Sequence, residues 1–265
     1  MQQRSSIKIF YTVEKALFLR ELEMRFSSGR TGLFWTFFEP FLQILIYIAI
    51  HAAISGNSST LSGTSNFDYT VFMASGFIAF NMFRHILSSS MGAFQANRGL
   101  FNYKQVKPID TIVSRMLVEL FLTGIIVLVF LFIGFVFHFD NTFPKDPAMV
   151  CLGYLWLVLF SFAVGLVVAI GNTFFMSFGK FIGLLTFGLL LLSAIFYPLV
   201  HLPPAARDAL LYNPLVHFME MIHGYYMYGL DTRFVDYRYM LLWTVVPLFI
   251  GFWLYHRLEK RIISP

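Results

Sequence analysis

Six apolar runs divide this chain, at residues 33–54, 69–90, 112–137, 148–170, 181–197 and 239–255. They constrain the fold more than any motif does. A helix of about 20 apolar residues crosses roughly 30 Å of hydrocarbon. In that medium every backbone polar group needs an internal partner, which favours helices. Composition agrees: 58% of the 265 residues are hydrophobic and only 12% are charged. Soluble domains carry about 25% charged residues. The sequence therefore predicts an all-α membrane protein, with six transmembrane helices in a single domain over residues 1–265.

Basic residues orient the spans. Arg4, Lys8, Lys15, Arg20, Arg25 and Arg30 precede the first run, whereas residues 55–68 hold no Lys or Arg. Arg98, Lys104 and Lys107 follow the second run. After the third comes only Lys145, offset by Asp140 and Asp146. Lys180 follows the fourth, and Arg257, Lys260 and Arg261 follow the sixth. Bases concentrate on the cytoplasmic side. This alternation predicts a multi-pass protein of the cytoplasmic membrane, with both termini and the Arg98 loop inside. Net charge is +5. Topology accounts for that excess, so no nucleic-acid partner is expected. The opening mixes acids and bases and its first apolar run comes late, unlike a cleavable signal peptide. The lone Cys151 excludes an internal disulfide and reads as a small buried hydrophobe.

Residues 1–32 predict an interfacial helix. Phe10, Val13, Leu17 and Met24 form one apolar stripe, and Ile7, Tyr11, Phe18 and Leu22 a second. Arg20 and Arg25, with Arg30, are candidates to guide an anionic lipid headgroup. Between the fifth and sixth runs, residues 198–238 are too apolar for a free loop. Pro198, Pro203, Pro204 and Pro214 break them too often for a span. Short helices or a re-entrant hairpin on the outer side are expected.

Polar groups inside the runs are candidates for a substrate path or gate. Glu39 lies about 9–10 Å into the first run at 1.5 Å per residue, beside Trp35 and Pro40. An ionisable group there must face protein or water. Arg30, Arg84 and His85 join this set. Tyr197, Tyr225 and Tyr226 could form an interface belt or an aromatic exit for sugar rings. Arg115 and Glu119 stand four apart and can neutralise one another on one helix face. Gly165 with Ala169, and Gly179 with Gly183, mark close helix packing.

Catalytic constellations are not evident. His217, Glu220 and His223 suggest a metal, but the two histidines fall about 120° apart on a helix, and no metal site is expected. The string nearest a phosphate loop has Phe174 for its first glycine and Phe181 for its Ser or Thr. No ATPase site is expected, nor any cofactor in this chain. A transport subunit therefore fits better than an enzyme. The alternative is a scaffold or enzyme of lipid-linked glycan assembly; the lack of clustered acids and bases disfavours the enzyme, and Glu39 with the proline-broken segment disfavours the scaffold. The best docking surface for an energising partner is the polar segment 93–110. It carries Asn97, Arg98, Gly99, Leu100, Phe101, Asn102, Tyr103, Lys104 and Lys107, read as exposed aromatics and bases.

Three blocks carry a resemblance. They are Arg30-x-Gly32-x-x-Trp35-x-x-x-Glu39-Pro40, then 96–112 with Ala96-Asn97-Arg98-Gly99-Leu100-Phe101-Asn102-Tyr103, then Asn213-Pro214-Leu215-Val216-His217. Together they strongly resemble the transmembrane permease subunit of bacterial capsular-polysaccharide exporters, within the type-2 ABC exporter permeases, over essentially the whole chain. The resemblance implies a homodimer with two ATPase subunits, which would hold ATP and Mg, and a coupling helix within 93–110. It also implies a lipid-linked polysaccharide substrate, and periplasmic and outer-membrane export proteins as partners.

Overall fold

The computed structural model describes residues 6–27, 38, 41–43, 45, 46, 69–103, 105–137, 142–175 and 178–263. Among these the regular structure is helical, with no strand. Helix α1 is Ser6–Ser27, α2 is Tyr69–Met91, and the short α3 is Ala93–Ala96. A 3₁₀ turn, Arg98–Asn102, leads towards α4, Pro108–Val136. Then come α5, Pro147–Phe174, and α6, Phe178–Leu192. The proline-broken segment that follows holds α7, Pro204–Leu210, and α8, Pro214–Tyr226. Helix α9 is Tyr237–Ile263.

Four of these helices are long and apolar enough to cross a membrane: α2, α4, α5 and α9, of 23, 29, 28 and 27 residues. The first expected span, 33–54, falls largely outside the described residues. The fifth is shorter than the apolar run suggests. Helix α6 has 15 residues, about 22 Å at 1.5 Å per residue. Side chains end it by taking its last carbonyls. Ser193 Oγ donates to Leu189 O, Tyr197 Oη to Leu191 O at 2.9 Å, and Asn213 Nδ2 to Leu192 O at 3.0 Å. Ala194 then turns the chain at φ 56°, a left-handed conformation that a non-glycine residue rarely adopts.

Helix starts follow local chemistry. Proline opens α4, α5, α7 and α8, where its missing N–H has no partner to lose. Asn213 Oδ1 accepts from Leu215 N at 3.0 Å, and Asp146 Oδ1 from Met149 N at 3.2 Å. Asp110 Oδ2 accepts from Lys107 N at 2.8 Å at the start of α4.

Helix α5 is the hub. It packs most extensively against α9 and α2 and also meets α8, α4 and α6. Gly165 allows the approach to α2, since a Cβ there would lie 2.9 Å from Ser90 Oγ. Gly183 differs: a Cβ added there meets nothing within 4 Å, so its expected packing role is not used among the described residues. Helix α8 is buried on every side over residues 215–224. The outer faces of α4 and α9 expose Phe121, Leu128, Phe132, Leu241, Phe249 and Trp253. Contiguous apolar surface of this kind suits a lipid surrounding.

Candidate functional site

The segment between α2 and α4 holds a turn with one buried and one open side. Phe101, 7% exposed, sits in an apolar cluster with Phe94, Ile112, Phe162, Leu166, Tyr255 and Ile262, drawn from α3, α4, α5 and α9. Asn97, 2% exposed, donates from Nδ2 to Ala93 O at 2.8 Å and accepts from Arg20 Nη2 of α1 at Oδ1. Leu100 is half-buried, and Tyr103 N donates to Leu100 O at 3.0 Å, closing the turn. On the open side stand Arg98, Gly99, Asn102, Tyr103 and Lys107, with Tyr103 66% exposed. Lys104 lies outside the described residues.

This corrects the expectation for two residues. Phe101 does not offer its ring outward, because the apolar pocket beneath the turn takes it. Asn97 likewise points inward, where a buried amide needs partners on both its atoms. Of the expected coupling residues that are described, Arg98, Gly99, Asn102, Tyr103 and Lys107 are the exposed ones.

Helix α1 forms the flank of this surface. It turns Glu14, Leu17 and Glu21 inward and leaves Phe10, Tyr11, Leu19 and Met24 exposed. Of the expected stripe, Leu17 is buried and Val13 half-buried, while Phe10 and Met24 face out. The pair Arg115–Glu119 is also not self-contained. Arg25 pairs with Glu119, and Arg115 Nε lies 3.3 Å from Glu21 Oε1. Charges on α4 are thus answered from α1, because burial makes a single intrahelical partner insufficient. Arg20 and Arg25, read as headgroup candidates, both have protein partners: Asn97 and Glu21 for Arg20, Glu119 for Arg25. Glu14 has neither carboxylate oxygen hydrogen-bonded among the described residues. Burial, and then the nearby charge of Asp110, push its carboxyl up to about 7.

The other path candidates scatter. Arg30, Trp35 and Glu39 lie outside the described residues. Arg84 and His85 are half-buried in α2. Asn81, one turn earlier, is buried and donates from Nδ2 to Gln43 Oε1 at 3.3 Å. An amide amid an apolar run was the signal for this contact.

Around α8 the tyrosines act as struts. Tyr226 is buried and donates from Oη to Thr142 O at 2.6 Å, and its carbonyl accepts from Lys145 N at 3.0 Å. Tyr225 Oη lies 3.0 Å from Tyr237 Oη. Tyr197 serves the end of α6, as described. His217 has both ring nitrogens engaged: Nε2 lies 2.9 Å from Leu211 O, and Nδ1 accepts from Asp236 N at 3.1 Å. The Nε2–H tautomer satisfies both contacts. Glu220 accepts from Leu199 N at 3.3 Å. Tyr225, Tyr226, His217 and Glu220 thus tie α8 to the segments around it.

The chain is similar to known proteins over most of its length. A family model described as ABC-2 type transporter matches residues 12–227. The polysialic acid transport protein KpsM of Escherichia coli is 33% identical over 263 residues, covering 98% of this chain and 99% of KpsM. The capsule polysaccharide export inner-membrane protein BexB of Haemophilus influenzae is 29% identical over 224 residues, 84% of this chain and 82% of BexB. CtrC, which carries the same description in Neisseria meningitidis serogroup A, is 27% identical over 257 residues, 97% of this chain and 95% of CtrC.

Proposed function

Because this chain belongs to the ABC-2 type transporter family, we propose that it is the permease subunit of an ATP-driven exporter that moves a lipid-linked capsular polysaccharide across the inner membrane. The permease works as a homodimer with two separate ATPase subunits, and it hands the polymer to periplasmic and outer-membrane export proteins. The whole chain is one permease domain of six spans, with an interfacial helix over 1–32 and both termini cytoplasmic. Residues 198–238 form the outer helical segment.

One observation carries the coupling part of this reading. The Arg98–Asn102 turn is fixed from beneath by Phe101 and Asn97, while Arg98, Asn102 and Tyr103 stand exposed above it. A rigid turn can transmit force, and exposed cations with an aromatic suit a partner surface that bears carboxylates and an apolar pocket. The sequence offers no phosphate loop of its own, so energy must come through such a surface. Arg30, Trp35, Glu39, Arg84 and His85 remain candidates for the substrate path, and Arg20 and Arg25 for the lipid boundary.

Co-purification tests the reading. Affinity capture of this chain from its native membrane should bring an ATPase in equal proportion. Arg98→Ala with Tyr103→Ala should leave the chain folded and inserted, abolish that capture, and stop polymer from reaching the cell surface. Undiminished capture by the double variant would remove the turn from the coupling role.

A further inference from the structure

Helix α1 carries more polar cross-links than an anchor needs. Arg20 Nη2 donates to Asn97 Oδ1, and Asn97 in turn donates to Ala93 O at 2.8 Å, so the residue that opens the 3₁₀ turn is held from α1 and from α3 together. One residue on, Glu21 Oε1 lies 3.3 Å from Arg115 Nε of α4, and Arg115 Nη1 donates to Ser89 O of α2. One turn further, Arg25 pairs with Glu119 of α4. Asn97, Glu21 and Glu119 are all buried.

Buried charges are costly to bring together and add little net stability, but they fix one register. An anchor needs only an apolar face, and α1 already presents Phe10, Tyr11, Leu19 and Met24 outward. The inward contacts therefore serve position. They join three bodies: the coupling turn through Asn97, α4 through Arg115 and Glu119, and the end of α2 through Ser89. Contacts whose acceptors are buried pass displacement, because packed groups shift between discrete arrangements and do not stretch.

We propose that α1 is part of the coupling unit. Arg20 and Asn97 are positioning residues that lock it to the ATPase-facing turn, so that a displacement of the turn is carried by α1 onto α4. The proposal rests on the coupling reading given above. It assigns Arg20 a mechanical role inside the protein and makes Asn97 the joint between two cytoplasmic elements.

The test uses the full permease–ATPase complex in lipid nanodiscs, with Cys151 replaced by alanine. An environment-sensitive fluorophore is attached through Lys15→Cys on α1 or Gln105→Cys beside the turn, both exposed positions. ATP with vanadate is the probe. With Arg20 and Asn97 intact, both fluorophores should respond. In Arg20→Ala the Gln105 response should persist while the Lys15 response falls by half or more. Asn97→Ala should do the same, and the double variant should be no worse than either single, as expected for one shared contact. Arg20→Lys should restore part of the Lys15 response, which a loss of folding would not allow. An undiminished Lys15 response in Arg20→Ala overturns the proposal and leaves the coupling reading standing. Absence of any Gln105 response in the intact complex overturns both.

Discussion

At the residue scale, the turn separates side chains that look alike in sequence. Phe101 and Tyr103 are two apart and both aromatic, yet one is buried and the other is 66% exposed. Phe101→Ala should cost about 3 kcal/mol or more by emptying a packed site. Tyr103→Ala should change stability by about 0.5 kcal/mol or less and act on ATPase capture. Thermal unfolding of the purified protein beside co-purification yields separates the two effects. A destabilised Tyr103→Ala with normal capture would reverse the assignment. Glu14 gives a pH-dependent case. Its carboxyl is raised from 4.5 to about 7 by burial and by Asp110. The folded state therefore holds the proton more tightly than the unfolded chain. The contribution of Glu14 is most favourable below pH 4.5, is lost as pH rises through about 7, and is flat above. Glu14→Gln should raise stability at pH 8 by on the order of 2 kcal/mol, with the gain shrinking towards zero near pH 4.5. Melting curves across that range decide it, and a gain independent of pH would exclude titration of Glu14 as its source.

At the element scale, the outer segment shows how a short helix is stopped in an apolar setting. The end of α6 is capped by Ser193, Tyr197 and Asn213, and the chain then reverses through Ala194 at φ 56°. Ala194 is fully buried, so the turn has neither room for a larger side chain nor a favourable backbone for one. Ala194→Val should destabilise by about 1–3 kcal/mol, because β-branching sharpens the left-handed penalty. Ala194→Gly should be neutral or stabilising, since glycine adopts that backbone without strain. Equal melting temperatures for the valine and glycine variants would show that the turn is not strained. Helix α8 is the complementary case. It is only 13 residues long, too short to span, yet it is buried all round over residues 215–224. His217 and Glu220 supply the polar contacts that hold Leu211, Asp236 and Leu199 around it.

At the scale of the whole molecule, the proposed topology places α7 outside and Gln105 inside. In a background with Cys151→Ala, a membrane-impermeant maleimide should label Asp208→Cys in intact spheroplasts. It should label Gln105→Cys only after permeabilisation; both positions are exposed. Labelling of Gln105→Cys in intact spheroplasts would invert the model. The apolar runs, read as six spans, made the helical class legible, and four of the six appear as helices long enough to cross a membrane, because hydrocarbon permits little else to such sequences. Proline stands at the first turn of α4, α5, α7 and α8, a start signal that hydrophobic runs alone do not use, so the third run begins four residues later than its helix. Spacing could not say which charges meet. Arg115 and Glu119 satisfy the four-residue rule within one helix, but Glu21 and Arg25 reach them from α1, across about ninety residues of sequence. Nor could it say that Phe101 turns in and Tyr103 out, since both fit an aromatic anchor. The sequence by itself determined the medium and the kind of element, which follow from backbone hydrogen bonding and burial along one chain segment. Only the tertiary structure decided which polar groups share a joint, because that depends on which helices pack together, and partners so distant in the chain leave no periodic trace.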